Sequence, residues 1–306
     1  MNHYRSYGLR IASALPIPLR RAAVCGEADL RIEYAGPSPA LMPSGPDRRA
    51  LVDRPGGWTL RYDNSGGGWI AFDHSDAERS ITVSGSVAWE QCAGPLAGVV
   101  CGVLLRKRGG TALHAAGLSL HGRAFAILGG SGRGKSTLAA ALIARGVKLL
   151  SEDLLVLSQS ERSFKAEPGA TTMSLLPDAE AAFGKSIGRR ANGRDGKVEF
   201  ELGETSTADS APLTALFVLA PPASDSKPRI ERLSPLAATA ALMGQLYGVP
   251  WIGRPCKADL HFCSRVAHTT PVFMLIRPWA LDMVPATADL LCRLVDAPAP
   301  VSAGAA

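Results

Sequence analysis

The 306 residues contain no close pair of cysteines: the six lie at 25, 92, 101, 256, 263 and 292, with no Cys-x-x-Cys spacing. That pattern speaks against a disulfide framework or a structural zinc, and the chain reads as cytoplasmic. Long apolar runs are missing as well. The longest, CAGPLAGVVCGVLL (92–105), is interrupted by Pro and Gly and is shorter than the ~20 residues a membrane span requires. The opening MNHYRSYGLRIASALPIPLRR has early arginines, but its apolar segment is short and broken by two prolines, which makes a poor secretion signal. No internal repeat is visible.

The formal charge of +6 favours anionic partners in a general way. The basic residues are nevertheless dispersed, and only RKR (106–108) and RRANGRDGK (189–197) cluster. Neither has the interleaved aromatics of a single-strand nucleic-acid binder. Both read as solvated surface or loop, with phosphate attraction the minority reading, and nucleic acid is not an expected partner. The end APAPVSAGAA (297–306) has the composition of a flexible tail.

What is present divides into two regions. DLRIEYAG, GWTLRYDN, GGWIAFDH and RSITVSG are short alternating runs between turn residues, as antiparallel strands require. Trp58 and Trp69 within them read as core packing. Ala88 to Leu105 reads as a buried helix. The expected division is a β-rich domain over 1–100, an α/β domain over 101–296 and the tail from 297.

In the second region, GTALHAAGLSLHGRAFAILGG predicts a tight hairpin on His121-Gly122. A two-residue loop sets Leu120 opposite Arg123 and, in the same register, His114 opposite Gly129. Gly129, Gly130, Ser131, Gly132, Arg133, Gly134, Lys135 and Ser136 then match G-x-x-x-x-G-K-[ST], with Thr137 following. Glycines let successive amides point at phosphate oxygens, and the helix beginning near Lys135 adds its positive end. In this motif Lys135 reaches the β and γ phosphates and the Ser136 hydroxyl ligates Mg²⁺. The strand AFAIL before the loop and the helix STLAAALIARG after it supply the required context. Gly146 is placed to close that helix, about eleven residues long, and VKLLS predicts a strand parallel to AFAIL. The acids Glu152 and Asp153 emerge at its carboxyl edge, where alternation turns one of the two toward the phosphates.

The run LHAAGLSLHGRAFAILGGSGRGKSTLAAALIARGVKLLSEDLLVL resembles the catalytic domain of HPr kinase/phosphorylase over His114 to Leu157. YRSYGLRIASALPIPL and SLLPDAEAAFG look more like HPr kinase-related proteins of peptide biosynthesis, including lasso-peptide tailoring kinases. The resemblance implies a P-loop HPr kinase/PEP carboxykinase-like fold and catalytic roles for His114, Lys135, Glu152 and Asp153, with Asp153 the proton acceptor. It implies ATP and Mg²⁺, with Ser136 on the metal. It also implies transfer of the γ-phosphate to a serine of a peptide or small protein; self-association is left open, and the short apolar runs give no expectation of a membrane partner. Glu152 stands where the family has Asp. Asp178 lies near the position of a later metal-binding Glu, but after Pro177 it reads as a first-turn acid. The family's Pro-Gly-Arg segment is not evident.

Other nucleotide-driven classes lack their marks here. There is no LSGGQ-like signature, no late strand ending in Asp-Glu and no Asn-Lys-x-Asp guanine reader; the apolar strands ALFVLAPPAS and PVFMLIRPW end in Pro, small or basic residues. A small-molecule kinase on the same scaffold and a nucleotide-dependent binding module remain as alternatives. GRDGKVEFEL reads as a hairpin turn with an exposed Lys197, approach of Lys197 to the nucleotide being the other reading. Cys256, Cys263 and Cys292 read as packing thiols, and His261 and His268 as strand or loop residues.

Overall fold

A computed structural model describes residues 1–23, 26–37, 49–63, 68–191, 193, 196–221, 227–248 and 252–297. Cys25 and all but the first residue of the expected tail lie outside the described residues. The described residues form a mixed α/β structure with three sheets. Seven strands form the first: β1 (Asn2–Ser6), β2 (Leu9–Ser13), β3 (Leu30–Pro37), β4 (Arg49–Arg54), β5 (Gly57–Asp63), β6 (Trp69–Ser75) and β7 (Ser80–Gly85), in the order β1-β2-β3-β7-β6-β5-β4. Four of these are the runs expected as strands. β1 and β2 fall in the opening segment, whose alternation is too short to announce them; they turn on Tyr7 and Gly8, at φ 57° and 76°. The expected antiparallel pairing holds for β1–β2 and for β4 through β7, but β2–β3 and β3–β7 are parallel. Residues 14–29 and the intervening meander are long enough to return the chain in the same direction, which a tight turn cannot do.

The inward face of this sheet (Leu30, Ile32, Leu60, Phe72, Ile81 and Val83) packs on one continuous helical run. That run is α1 (Trp89–Pro95), a π turn (Leu96–Val100) and α2 (Cys101–Lys107), covering the helix expected from Ala88 to Leu105. Pro95 has no amide donor, and the backbone widens to the π turn directly after it. Tyr7, 1% exposed, donates its hydroxyl to the Ala97 carbonyl in that turn at 2.8 Å and accepts from the Ala170 amide at 3.0 Å. In the basic cluster at the end of α2, Lys107 and Arg108 are exposed, as expected of solvated surface, while Arg106 is half-buried. Arg106 holds the fully buried Asp259 with both terminal nitrogens, Lys107 reaches Asp53 at 2.5 Å, and Arg108 donates to the Asp29 carbonyl at 3.3 Å. A run of charges in sequence says nothing of acids fifty or more residues away.

The second sheet begins with β8 (Ala112–Leu120) and β9 (Arg123–Leu128), a hairpin on His121-Gly122 with both residues left-handed and Leu120 opposite Arg123, as predicted. Its ladder ends at Ala115–Leu128, one step short of His114 and Gly129. After α3 (Lys135–Ile143), β10 (Lys148–Ser151) and β11 (Leu154–Ser160) both pair with the far side of β8. β10 therefore runs parallel to β9, with β8 between them. α3 has nine residues rather than about eleven; Gly146 at φ 87° ends the turn, and the Val147 amide returns to the Leu142 carbonyl at 3.2 Å.

The remaining strands of this sheet are β12 (Ser163–Ala166), then, after a separate three-stranded sheet of β13 (Thr172–Leu175), β14 (Arg189–Ala191) and β15 (Val198–Glu201), the strands β16 (Ala211–Leu219), β17 (Arg229–Arg232) and β18 (Val272–Ile276). β9, β16 and β18 are parallel neighbours, so their carboxyl ends share one rim. Alternation along β9 sends Phe125 and Ile127 to one core and Ala124, Ala126 and Leu128 to the other. The first core is covered by α3, α4 (Pro177–Phe183) and α7 (Val284–Asp296), the second by α5 (Pro235–Met243) and α6 (Lys257–Thr269).

His261 and His268 lie on α6, not in strands or loops. The buried residues Asp259, Cys263 and Val266 recur at helical spacing there, a signal masked by the polar residues between them. Cys263 is buried and Cys292 half-buried, but Cys256 is exposed and caps α6 rather than packing. Trp58 and Trp69 are core residues, at 2% and 5% exposure. Among the described residues no helix is long and apolar enough to cross a membrane.

Candidate functional site

Three pieces of backbone meet at the carboxyl end of β9. The first is the glycine-rich loop. Gly132 and Gly134 have φ of 73° and 81°, a region costly for residues with a side chain, and α3 starts directly after Gly134 with no side chain capping its first amides. Gly130, Ser131 and Gly132 are exposed, whereas Arg133, Ser136 and Thr137 are half-buried and Gly129 is enclosed. Lys135 is 6% exposed and folds back over the loop, donating to the carbonyls of Gly129 at 2.9 Å and Gly130 at 3.4 Å. Burial pulls its pKa down, while the charges of Asp153 and Glu152 pull it up.

The second piece lies between β10 and β11. Both strands pair with β8 in one register, Ser151 opposite Gly117 and Leu154 opposite His114, and between them the Asp153 carbonyl accepts from the Ala115 amide at 3.3 Å, so the acids sit at the junction of the two strands. The Leu154 amide bonds to the Glu152 carbonyl at 2.7 Å, closing a γ-turn with Asp153 at its centre, at φ 61°. This turn breaks the alternation expected of the segment. Both acids, not one, therefore serve the same cluster. The Glu152 carboxyl is half-buried, accepts from the Ser174 amide at 2.9 Å and is near enough to the Ser136 hydroxyl to feel it. Asp153 is crowded by protein on its flanks yet keeps 58% of its side chain open, with Oδ1 3.3 Å from His114 Nε2.

The electrostatics separate the two acids. Burial and the neighbouring Asp153 charge raise the pKa of Glu152, against the nearby Ser136 hydroxyl, the Ser174 hydrogen bond and the charge of Lys197. At Asp153 crowding also acts upward, but the His114 hydrogen bond and the charges of His114, Lys135 and Lys197 outweigh it and leave the pKa lowered. A pair split in this way has one carboxyl that keeps its proton more readily and one that is an available base.

The third piece is β8. His114 stands opposite Leu154, beside the acids, its amide bonded to the Gln245 carbonyl at 2.7 Å. Its ring meets Tyr247 edge-on at 6.3 Å between centroids. Tyr247 in turn lies against Gly102 of α2, where a Cβ would strike its ring. The core of the seven-stranded sheet is thus linked through Tyr247 to His114 and on to Asp153.

The four expected catalytic residues and the loop come together. Asp178 does not join them: it is exposed in the first turn of α4, after Pro177 at the helix start, as its sequence context predicts. Lys197 stands apart from the expectation of an exposed turn lysine. β14 and β15 do pair antiparallel, but Lys197 is half-buried and its charge reaches Lys135, Glu152 and Asp153. Sequence reasoning passed over two further neighbours. Tyr247 has no local motif, and Arg277 ends an apolar strand. Arg277 is 8% exposed, donates from Nη2 to the Arg133 carbonyl, and has no carboxylate partner among the described residues. Burial lowers its pKa. The signal available for it was a lone basic residue at the rim end of a parallel strand.

No family model matches the chain, and no curated protein does. Among solved structures it is similar to the HPr(Ser) kinase/phosphatase from Coxiella burnetii, at 16% identity and a TM-score of 0.33, over 60% of this chain and 96% of that one. So low a score makes this a distant likeness and nothing more.

Proposed function

We propose that the protein is an ATP-dependent phosphotransferase that moves the γ-phosphate of ATP to a serine hydroxyl of a peptide or small protein, a ribosomally made precursor peptide being the favoured acceptor. This reading rests on the loop motif, on the sequence resemblance to HPr kinases between His114 and Leu157, and above all on one observation. Asp153 and His114 meet beside the glycine-rich loop, within the field of Lys135.

In this reading the loop amides and the amino end of α3 hold the β and γ phosphates, and Lys135 leaves the Gly129 and Gly130 carbonyls to bind them. The oxygen donors fit Mg²⁺, which is commonly held by one or two protein groups and by substrate phosphates. Among the described residues no group of three or more His, Cys, Asp or Glu could hold a metal by itself. Ser136 and Glu152, whose carboxyl would give up its proton to the cation's field, would hold the ion. Bound there, Mg²⁺ neutralises phosphate charge. The acceptor hydroxyl enters from the open side of Asp153. As its oxygen bonds to the γ-phosphorus, the bond to the β–γ bridging oxygen breaks, ADP leaves, and the hydroxyl proton passes to Asp153. His114 orients that carboxylate.

The test is phosphoryl transfer from labelled ATP to candidate acceptors, beside calorimetric ATP binding. Asp153→Asn is expected to keep ATP binding and to lose transfer by about a hundredfold or more; full activity in that variant excludes Asp153 as the base. Lys135→Ala is expected to weaken both. Label on a metabolite instead of a peptide serine would assign a small-molecule kinase, and tight ATP binding without turnover a binding module.

A further inference from the structure

The three residues after β18 contain a feature that the transfer chemistry does not use. β18 is separated from β9 by β16 alone, so its exit and the exit of β9 into the loop share a rim. From there Arg277 reaches back to the loop. Its Nη2 donates to the Arg133 carbonyl and would lie 2.7 Å from a Cβ on Gly134, while its Nε is buried without a hydrogen-bond partner. Trp279 stacks on this guanidinium, with Cζ 5.1 Å from the ring centroid. The ring is nonetheless 54% exposed.

A tryptophan so open to water leaves much of its apolar area unburied, although the chain buries Trp58, Trp69 and Trp89. Its setting is also specific. One face rests on a cation, the cation is held by the loop carbonyl, and the other face is therefore presented at a set place beside the loop. Two links, 5.1 Å from ring to guanidinium carbon and 3.6 Å from that carbon to the Cβ position of Gly134, join the ring to the start of α3. That is a reach comparable to the α-phosphate and ribose of a nucleotide whose terminal phosphates occupy the loop.

We infer that Trp279, backed by Arg277, is the platform on which the base of the nucleotide stacks. Every base offers a π-face, so a platform of this kind gives affinity with little discrimination between bases. The inference rests on the reading of the loop as a phosphate site, and the test separates the two. Native protein and Trp279→Ala are titrated with Mg·ATP and, separately, with inorganic tripolyphosphate, by calorimetry and by tryptophan fluorescence. Native protein is expected to bind both ligands, with ATP alone quenching fluorescence. In Trp279→Ala the ATP affinity is expected to fall about tenfold, the quench to disappear and tripolyphosphate binding to stay unchanged; Trp279→Phe should recover much of the ATP affinity. Equal losses for both ligands, or no loss for ATP, overturns the platform. A variant that binds ATP normally but needs more peptide acceptor would assign Trp279 to the acceptor and also overturns it. Native protein that binds neither ligand overturns the loop reading, and this inference with it.

Discussion

Asp153 holds a backbone conformation that its own chemistry does not favour. At φ 61° in the centre of a γ-turn it lies where a residue with a Cβ is strained, though Asp tolerates the region better than most. The strain is what aims two consecutive carboxyls at one site. Asp153→Gly is therefore expected to raise stability by up to about 1 kcal/mol while abolishing transfer, measured as a higher urea midpoint beside lost activity. An unchanged or lower midpoint would mean that the His114 contact outweighs the relief. The acids and the histidine were legible in sequence because a motif and a two-residue hairpin set their spacing. The γ-turn was not, since Ser-Glu-Asp-Leu carries none of the glycine that usually marks a positive φ.

At the scale of elements, the loop and α3 were readable almost residue by residue, because local hydrogen bonding and glycine torsions decide them. The anchoring of α6 was not. Its first turn is held by Asp259, which accepts from Arg106, from the Thr111 hydroxyl at 2.9 Å and from the Cys256 amide at 2.8 Å. Burial alone would raise the Asp259 pKa, but the Arg106 pair and these hydrogen bonds hold it well below the usual carboxylate range. Asp259→Asn leaves the Arg106 cation without its counter-charge and is expected to cost about 3 kcal/mol, read by urea unfolding. A loss below 1 kcal/mol would show that Arg106 escapes to solvent. The loop makes a sharper case: a methyl on Gly134 meets both a left-handed torsion and the Arg277 guanidinium. Gly134→Ala should therefore lose ATP binding in calorimetry even where thermal melts show the chain still folded.

For the whole molecule, the opening segment ties the first sheet to the second. The Tyr7 amide donates to the Pro168 carbonyl at 2.7 Å, and Arg20 reaches Thr207 at 2.6 Å and Asp209 at 3.2 Å. The first sheet also carries a pH sensitivity. His74 is 2% exposed and stacked on Trp58 at 5.1 Å, and both ring nitrogens lack hydrogen bonds. Burial lowers its pKa, aided by Arg108 and Arg54 and opposed by Asp76. Below the ordinary histidine value of about 6.5 the unfolded chain binds a proton that the folded chain resists, so stability falls on acidification through that value. Melting temperatures at pH 7.5 and 5.5 should differ more for the native protein than for His74→Phe; equal differences would remove His74 as the cause. By itself the sequence determined the glycine loop, its helix, the register of the hairpin before it and the acids after it, because each depends on residues a few positions apart. Only the tertiary structure decided that both acids face one site, that Lys197, Tyr247 and Arg277 join them, and that the RKR cluster is tied into the fold. Those contacts join residues far apart in the chain, and what sets them is the packing of strands and helices rather than any preference of the residues themselves.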